Sequence, residues 1–222
     1  MSPSLPLEIL ELIVDFSQHD IDALQRIGRT CKALVARTRV HLFRVIRLQS
    51  HRQLEALLNV LHRNPALKLL VHHVVVELNP YEFLEPPTDY TPINLAPIRL
   101  LHQRELPNIQ NWTFSEANIS PPPGRYRGAL VNVAPISLRC FARYASIWAL
   151  HLESLRFSSC ANFLRLLEAF PALLSLNCVN IHFEKRGAGC DLIRGRSSSR
   201  SQLQRLAVSI CSYHKCVEYL TL

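Results

Sequence analysis

The chain has 222 residues, of which 48% are apolar and 19% charged, with 14 prolines and only six glycines. This length and apolar content are enough to bury one sizeable core or two small ones, which excludes a wholly disordered protein. The formal net charge is +8 at pH 7 with histidine neutral. Such a charge favours an anionic partner, whether an acidic protein, nucleic acid or a membrane, but does not choose among them.

The amino-terminal segment has the opposite charge pattern to an export signal, because residues 1–16 contain three acidic residues and no basic one. No apolar run approaches the roughly 20 residues that span a bilayer. Seven cysteines, an odd number without short paired spacing, indicate reduced thiols. We therefore expect a soluble protein of the cytoplasm, the nucleus or both, with no membrane partner.

A first short helix is predicted from about Pro6 to Phe16. Proline suits the first helical turn because its missing N–H needs no partner there, and the early Glu8 and Glu11 meet the positive end of the helix dipole. Ile9 and Ile13 lie on one stripe with Phe16 by their spacing. A helix this short with apolar residues on most sides needs more than one neighbour to cover it.

Two more short helices are predicted before residue 45. Asp22 and Gln25 have the spacing of a capping box at the start of a helix of six to eight residues, which Gly28 would end. Thr30 is predicted to cap a third helix, whose apolar residues recur at intervals of 3 and 4 as far as Leu42. An isolated unit of this size has a marginal core, so we expect a partner to cover one apolar face.

Several short motifs follow one another in a fixed order between residues 5 and 48. They are Leu5-Pro6-Leu7-Glu8-Ile9, then Ile13, then Asp22-Ala23-Leu24, then Arg29-Thr30-Cys31-Lys32-Ala33-Leu34, then Arg39-Val40-His41-Leu42-Phe43-Arg44-Val45-Ile46-Arg47-Leu48. Together they resemble the F-box followed by its junction, in the style common in fungi of the mushroom group. The resemblance covers about one fifth of the chain.

The resemblance implies an adaptor, because in that family the three helices bind the Skp subunit of a cullin-RING ubiquitin ligase by burying apolar side chains. Carried over by position, the residues that would face this partner, or support those that do, are Leu5, Pro6, Ile9, Ile13, Leu24, Ile27, Cys31 and Leu34. Leu34 stands where many F-boxes have tryptophan, and it buries less area than an indole. The alternative is that these residues form only the internal core of a three-helix cap on the next domain.

From Val45 onward, strand and helix patterns alternate, which is typical of a repeat protein. Residues 45–48 have a strand pattern, Ser50 is predicted to cap the helix that follows, and residues 70–78 form the next predicted strand. Ile46 and Val74 stand at matching positions 28 residues apart. This period lies within the range of leucine-rich repeats.

The later repeats are predicted by the same alternation and are less regular. The predicted elements are a helix near residues 98–101, a strand over 109–114, a helix over 136–144, a strand over 147–152, a helix from Phe163 to Phe170 ended by Pro171, and strands around Leu176 and Leu206. Matching leucines are 24 residues apart from Leu152 to Leu176 and 30 apart from Leu176 to Leu206. This drift indicates stacked, divergent repeats with insertions.

The predicted fold class is therefore α/β. We expect a three-helix F-box over residues 1–48, followed over residues 49–222 by an irregular leucine-rich-repeat-like solenoid with a parallel sheet. Residues 216–222 still have the pattern of the middle of a repeat, which predicts either a truncated product or a partner at this end.

Three insertions have the composition of surface loops. Residues 85–92 and 120–126 are rich in proline, which cannot continue a helix or a central strand, and residues 187–201 are rich in Arg, Ser and Gly. Insertions in repeat proteins commonly lie along one face, so these segments are candidates for reading cargo. The alternative is that they are variable loops without a role.

The chain offers little that resembles catalytic or metal-binding chemistry. Cys211, His214 and Cys216 lack the second closely spaced pair that a tetrahedral zinc site needs. His72 and His73 would point to opposite faces of a strand, one packed and one exposed, so they cannot share a metal. There is no glycine-rich phosphate loop and no Gly-x-Ser-x-Gly motif. We expect no enzyme, no cofactor and no metal.

These observations predict a substrate-recognition adaptor of a Skp-cullin-F-box ubiquitin ligase, which binds the Skp subunit through its first helices and a protein cargo through its repeats. Its contribution to the reaction would be proximity. Two alternatives stay open. One is a scaffold that binds the Skp subunit without delivering cargo, and the other is a basic repeat protein that binds nucleic acid. The Arg-Ser segment 195–201 could hold RNA or phosphate, but it has no aromatic residue and its composition favours a solvated loop.

Overall fold

The structure, a computed structural model, describes residues 5–78, 100, 106–117, 129–131, 135–185 and 205–209. These ranges contain six α-helices, two short 3₁₀ helices and nine β-strands. No helix within them is long and apolar enough to cross a membrane. The predicted insertions at residues 85–92, 120–126 and 187–201 lie outside the described residues, as do Cys211, His214 and Cys216.

The helices are short and the strands shorter. The helices are α1 (Leu7–Phe16), α2 (Ile21–Thr30), α3 (Val35–Arg44), α4 (His51–Arg63), α5 (Pro135–Ala142) and α6 (Cys160–Glu168), with 3₁₀ helices at Lys32–Leu34 and Pro65–Leu70. The strands are β1 (Val45–Leu48), β2 (His73–Leu78), β3 (Asn111–Glu116), β4 (Ala129–Val131), β5 (Ala149–Glu153), β6 (Leu155–Ser159), β7 (Ser175–Val179), β8 (His182–Lys185) and β9 (Arg205–Ser209).

The strands form two sheets, and every pairing in both is parallel. The larger sheet has six strands in the order β1-β2-β3-β5-β7-β9, and the smaller has three in the order β4-β6-β8. Neighbours in each sheet follow the order of the chain. The α/β class with a parallel sheet, predicted from the alternation of patterns, is confirmed.

The register of the large sheet agrees with two of the predicted spacings and corrects a third. Ile46 lies opposite Val74, at the predicted spacing of 28 residues, and Leu176 lies opposite Leu206, at 30. Leu176 pairs with Leu150 and not with Leu152, so this repeat spans 26 residues instead of 24. The error arose because Leu150 and Leu152 both point into the core, and the alternation alone does not say which of two inward residues is the partner.

The core lies between the large sheet and the helices that follow its strands. Inward-facing strand residues and buried helix residues form one hydrophobic cluster, which contains Leu54 and Leu61 of α4 and Phe163 of α6. Trp112 and Phe141 meet edge to face with their ring centroids 5.0 Å apart, and Phe141 lies 4.5 Å from Phe170. These aromatic contacts hold the centre of the sheet against α5 and the end of α6.

Two equivalent corners lead from the large sheet to the small one. Ser154 joins β5 to β6 and Asn180 follows β7 before β8, and both have positive φ, 54° and 57°. The corners also contact each other, because Asn180 Nδ2 donates a hydrogen bond of 3.2 Å to Ser154 Oγ. The strands β4, β6 and β8 were not predicted. Ser154 and Asn180 are residue types common in turns, and asparagine tolerates positive φ, so a turn signal was present at these corners and was overlooked.

The caps of helices α2 and α3 differ from the predicted ones. Asp20, and not Asp22, caps α2, since its carboxylate accepts a hydrogen bond of 2.9 Å from Ala23 N, and the helix continues past Gly28 to Thr30. Thr30 does not cap the third helix, because its hydroxyl donates back to Ile27 O and a 3₁₀ helix precedes α3.

Candidate partner-binding surfaces

Helix α1 has one buried residue and a wide exposed face. Val14 is fully buried and forms a small cluster with Leu24 of α2 and Leu34, separate from the main core. Leu10 is half-buried and packs against this cluster. Seven other apolar residues of this region are 43–86% exposed; they are Leu5, Leu7, Ile9, Leu12, Ile13, Phe16 and, at the start of α2, Ile21. We call this set the α1 apolar surface. Exposed apolar residues grouped in this way mark an interaction surface more often than isolated ones do.

An ionic cluster fixes the orientation of α1. The Asp15 carboxylate accepts hydrogen bonds from Arg37 Nε at 2.6 Å and from Arg37 Nη2 at 2.5 Å, and it lies 2.8 Å from His41 Nε2. Hydrogen bonding by Arg37, and then by His41, holds the pKa of Asp15 well below its usual range. The cluster ties α1 to α3 and so helps to fix which residues of α1 are exposed.

The eight residues assigned to the Skp subunit divide into two groups. Leu5, Pro6, Ile9 and Ile13 are exposed and could contact a partner directly. Leu24 is fully buried and Leu34 is 5% exposed, and the half-buried Ile27 and Cys31 pack beside them. This second group could only support the surface. Leu34, where many F-boxes have tryptophan, therefore belongs to the internal core of the helices.

The assignment from the sequence left out part of the exposed surface. Leu12 and Ile21 are 50% and 55% exposed, and Phe16 is 86% exposed. Phe16 could have been included from its spacing with Ile9 and Ile13. Leu12 and Ile21 carried no such signal, because their exposure depends on how α1 packs on α2 and α3.

The large sheet offers a second surface, on the side away from the core. Its members come from β1, β2, β3, β5 and β7; they are Val45, Arg47, His73, Val75, Glu77, Asn111, Thr113, Ser115, Ala149, His151, Glu153, Ser175, Asn177 and Val179. None of them belongs to the main hydrophobic cluster, as expected from the alternation of side chains along a strand. We call this set the outward face.

Hydrogen bonds join side chains on neighbouring strands of the outward face. His73 Nε2 lies 2.8 Å from Thr113 Oγ1, and Asn177 Nδ2 lies 3.1 Å from His151 Nδ1. Burial, with smaller contributions from Arg47 and His151, lowers the pKa of His73 to about 4. His73 is therefore neutral at physiological pH. His72 and His73 are both half-buried, which corrects the prediction that one is packed and the other exposed.

Neither surface has the chemistry of a metal site or of a reactive thiol. Among the residues that the structure describes, no group of three or more His, Cys, Asp or Glu side chains could hold a metal ion. Cys140 and Cys178 are buried free thiols, and burial raises the pKa of Cys178 to about 12. A thiol with so high a pKa is not a nucleophile at neutral pH.

Comparison with known proteins does not assign the chain to a family. No protein-family model matches it, and no curated protein and no solved structure does so either. The functional interpretation therefore depends on the geometry and chemistry of the α1 apolar surface and the outward face.

Proposed function

We propose that the chain is a substrate-recognition adaptor of a Skp-cullin-F-box ubiquitin ligase. In this proposal the α1 apolar surface binds the Skp subunit and the strand-and-helix region, an irregular leucine-rich-repeat-like solenoid, binds a protein cargo. The adaptor needs no catalytic group of its own, because holding cargo lysines close to the ubiquitin-charged enzyme raises their effective concentration.

The observation that carries the proposal is the division of the first helices into a small core and a larger exposed apolar surface. The small cluster has three buried apolar residues, Val14, Leu24 and Leu34. By contrast, Ile9 and Ile13 are 43% and 46% exposed. Covering the exposed half of such a side chain contributes about 1 kcal/mol. Several of these residues together are enough to drive association with another apolar surface.

Two features weigh against the alternative in which these residues form only the core of a cap. Ile9 and Ile13 lie outside the small cluster and are 43% and 46% exposed. The Asp15–Arg37 pair also holds α1 in this orientation, so the helix cannot turn its exposed side inward without breaking a two-point ionic contact.

The proposal is tested by co-purification of the full chain with the Skp subunit. We expect the Ile9→Asp, Ile13→Asp double variant to lose the Skp subunit, because two charges would be buried in an apolar contact. A matched control is Val60→Asp, Leu69→Asp, which changes two other exposed apolar residues, at 39% and 53% exposure, outside the first helices. Equal recovery of the Skp subunit by all three proteins, with unchanged circular dichroism, would contradict the proposal.

Delivery of cargo is a separate part of the proposal and needs its own measurement. Reconstitution with the cullin, the RING subunit and the charged enzyme, using cargo captured under proteasome inhibition, should give ubiquitinated cargo. A scaffold without a role in ubiquitination would assemble with the Skp subunit and leave the cargo unmodified. The two outcomes separate the adaptor from the scaffold.

A further inference from the structure

We propose that Asp15 and Arg37 are positioning residues for the α1 apolar surface. They set the angle of α1, and through it the affinity for the partner, without belonging to the apolar contact. The proposal rests on the proposed function in taking this partner to be the Skp subunit. It follows from the few apolar residues that anchor α1, from the place of Asp15 in the helix, and from the sharing of the surface between two helices.

Helix α1 is held to the protein by few apolar contacts. Of its ten residues, all of which the structure describes, Val14 alone is buried. The half-buried Leu10 packs beside it against Leu24 and Leu34. A helix of ten residues is too short to be stable by itself in water. The formation and the orientation of α1 therefore depend on its contacts with the rest of the protein.

Asp15 stands at the end of α1 where a carboxylate by itself is unfavourable. It lies in the last turn, which has no basic residue, and the helix dipole is negative at this end. Arg37 of α3 compensates the charge with its two hydrogen bonds, of 2.6 Å and 2.5 Å, and the charge of Glu11, one turn earlier, also attracts Arg37. His41 lies against the same carboxylate at 2.8 Å. The pair therefore stabilises the contact between α1 and α3 rather than α1 itself.

The angle of α1 matters because the α1 apolar surface is shared between two helices. Ile13 and Phe16 lie on α1, whereas Ile21, 55% exposed, lies at the start of α2. Both helices pack against α3, which carries Arg37. A rigid partner covers Phe16 and Ile21 together at only one angle between α1 and α2. Release of α1 from α3 should therefore weaken binding in proportion to the fraction of molecules that remain docked.

Hydrogen exchange of the full chain without a partner tests whether the pair positions α1. We expect α1 amides to exchange about fivefold faster in Arg37→Gln than in the wild type, because a two-point ionic contact is lost, while the large sheet is unchanged. Asp15→Asn should have a similar effect. The double variant should be no faster than either single one, since both substitutions remove the same contact. Arg39→Gln, at an exposed arginine of the same helix, is the matched control and should exchange as the wild type does.

Titration calorimetry with the Skp subunit tests whether the pair controls affinity. Arg37→Gln should bind more weakly by up to about fivefold, the largest factor that the change in docking allows. Arg37→Lys keeps the charge but loses the two-point geometry, so its affinity should lie between those of Arg37→Gln and the wild type. Arg39→Gln should bind as the wild type does. A general loss of stability would not produce this order with an unchanged sheet.

Three results would overturn the proposal. They are wild-type exchange of α1 in Arg37→Gln, faster exchange with unchanged affinity, and a loss of affinity larger than the change in exchange. The last result would show that Arg37 contacts the partner directly. If the wild type itself does not bind the Skp subunit, the proposed function fails, while exchange without a partner still decides whether the pair positions α1. The two failures are therefore distinguishable.

Discussion

Gly28 and Thr38 meet where α2 crosses α3, and the contact leaves no room for a side chain at Gly28. A Cβ atom added to Gly28 would lie 2.9 Å from Thr38 Oγ1. Thr38 is 1% exposed and its hydroxyl donates to Val35 O at 3.0 Å, so it cannot turn aside without losing that bond. The close approach explains why the mid-helix residue is glycine, although glycine lowers helix propensity.

This contact predicts that the effect of Gly28→Ala on the free energy of unfolding changes sign when Thr38 is replaced by alanine. Gly28→Ala should lower the free energy of unfolding by about 1 kcal/mol, because overpacking costs more than the gain in helix propensity. In a Thr38→Ala background the same change should raise it by about 1 kcal/mol, since only the gain in propensity remains. Urea unfolding of the four proteins measures both effects. The same sign in both backgrounds would contradict the explanation.

His73 predicts a pH dependence of stability. Its pKa is about 4 in the folded protein and near 6.5 when unperturbed. Between these values the unfolded chain binds a proton at this residue and the folded chain does not, so stability is lost as pH falls from about 6.5 to about 4. One proton contributes a slope of at most about 1.4 kcal/mol per pH unit.

The measurement compares unfolding at several pH values for the wild type and His73→Gln, which keeps a hydrogen-bonding group near Thr113. We expect the slope between about pH 4 and 6.5 to be smaller in His73→Gln. His62→Gln, an exposed histidine on α4, serves as the control and should keep the wild-type slope. A wild-type slope in His73→Gln would show that the neutral state of His73 does not control acid stability.

Among the elements, α2 shows how a small difference in cap position affects stability. Asp20 and Asp22 are two residues apart, and only the Asp20 side chain accepts the bond from Ala23 N. Asp20→Ala should therefore lower the free energy of unfolding by about 1 kcal/mol. Asp22→Ala should have a smaller effect, limited to its interaction with the helix dipole. Chemical denaturation followed by circular dichroism measures the free energy of unfolding of both variants. A larger decrease in Asp22→Ala than in Asp20→Ala would contradict the assignment of Asp20 as the cap.

The elements also show which parts of the fold could be predicted from the sequence. Strand β1 was predicted at its observed bounds, because residues 45–48 have a strand pattern. Ser50 was correctly predicted to cap α4, because Gln53 follows it at the spacing of a capping box. The small sheet was missed although Ser154 and Asn180, which form two of its corners, are residue types common in turns. Such residues also occur outside turns, so on their own they do not fix where a strand ends.

The residues of the α1 apolar surface and of the outward face could be predicted from the sequence only in part. The resemblance to the F-box named Leu5, Ile9 and Ile13, which are exposed, together with Leu24 and Leu34, which are buried. Short apolar helices carry apolar residues on most sides, so their sequence does not say which side faces the core. The outward face was not predicted residue by residue, because its composition depends on the pairing of β2, β3, β5 and β7.

At the scale of the whole molecule, the residues that the structure describes form two hydrophobic clusters of very different size. The main cluster runs through the sheet and its helices, whereas the first helices rely on Val14, Leu24 and Leu34. Helix α3 links the two, since Leu42 packs against the small cluster and Phe43 against the large one. We therefore expect α1 to open more readily than the central strands of the sheet.

Hydrogen exchange of the full chain, alone and with the Skp subunit, tests the adaptor proposal most directly. Alone, amides of Leu7–Phe16 should exchange faster than those of β2, β3 and β5, because few buried contacts hold α1. With the Skp subunit, exchange in α1 and at the start of α2 should slow, while the sheet stays unchanged. The Ile9→Asp, Ile13→Asp variant should show no slowing. Unchanged exchange in α1, or protection confined to the sheet, would contradict the proposal that the α1 apolar surface binds the Skp subunit.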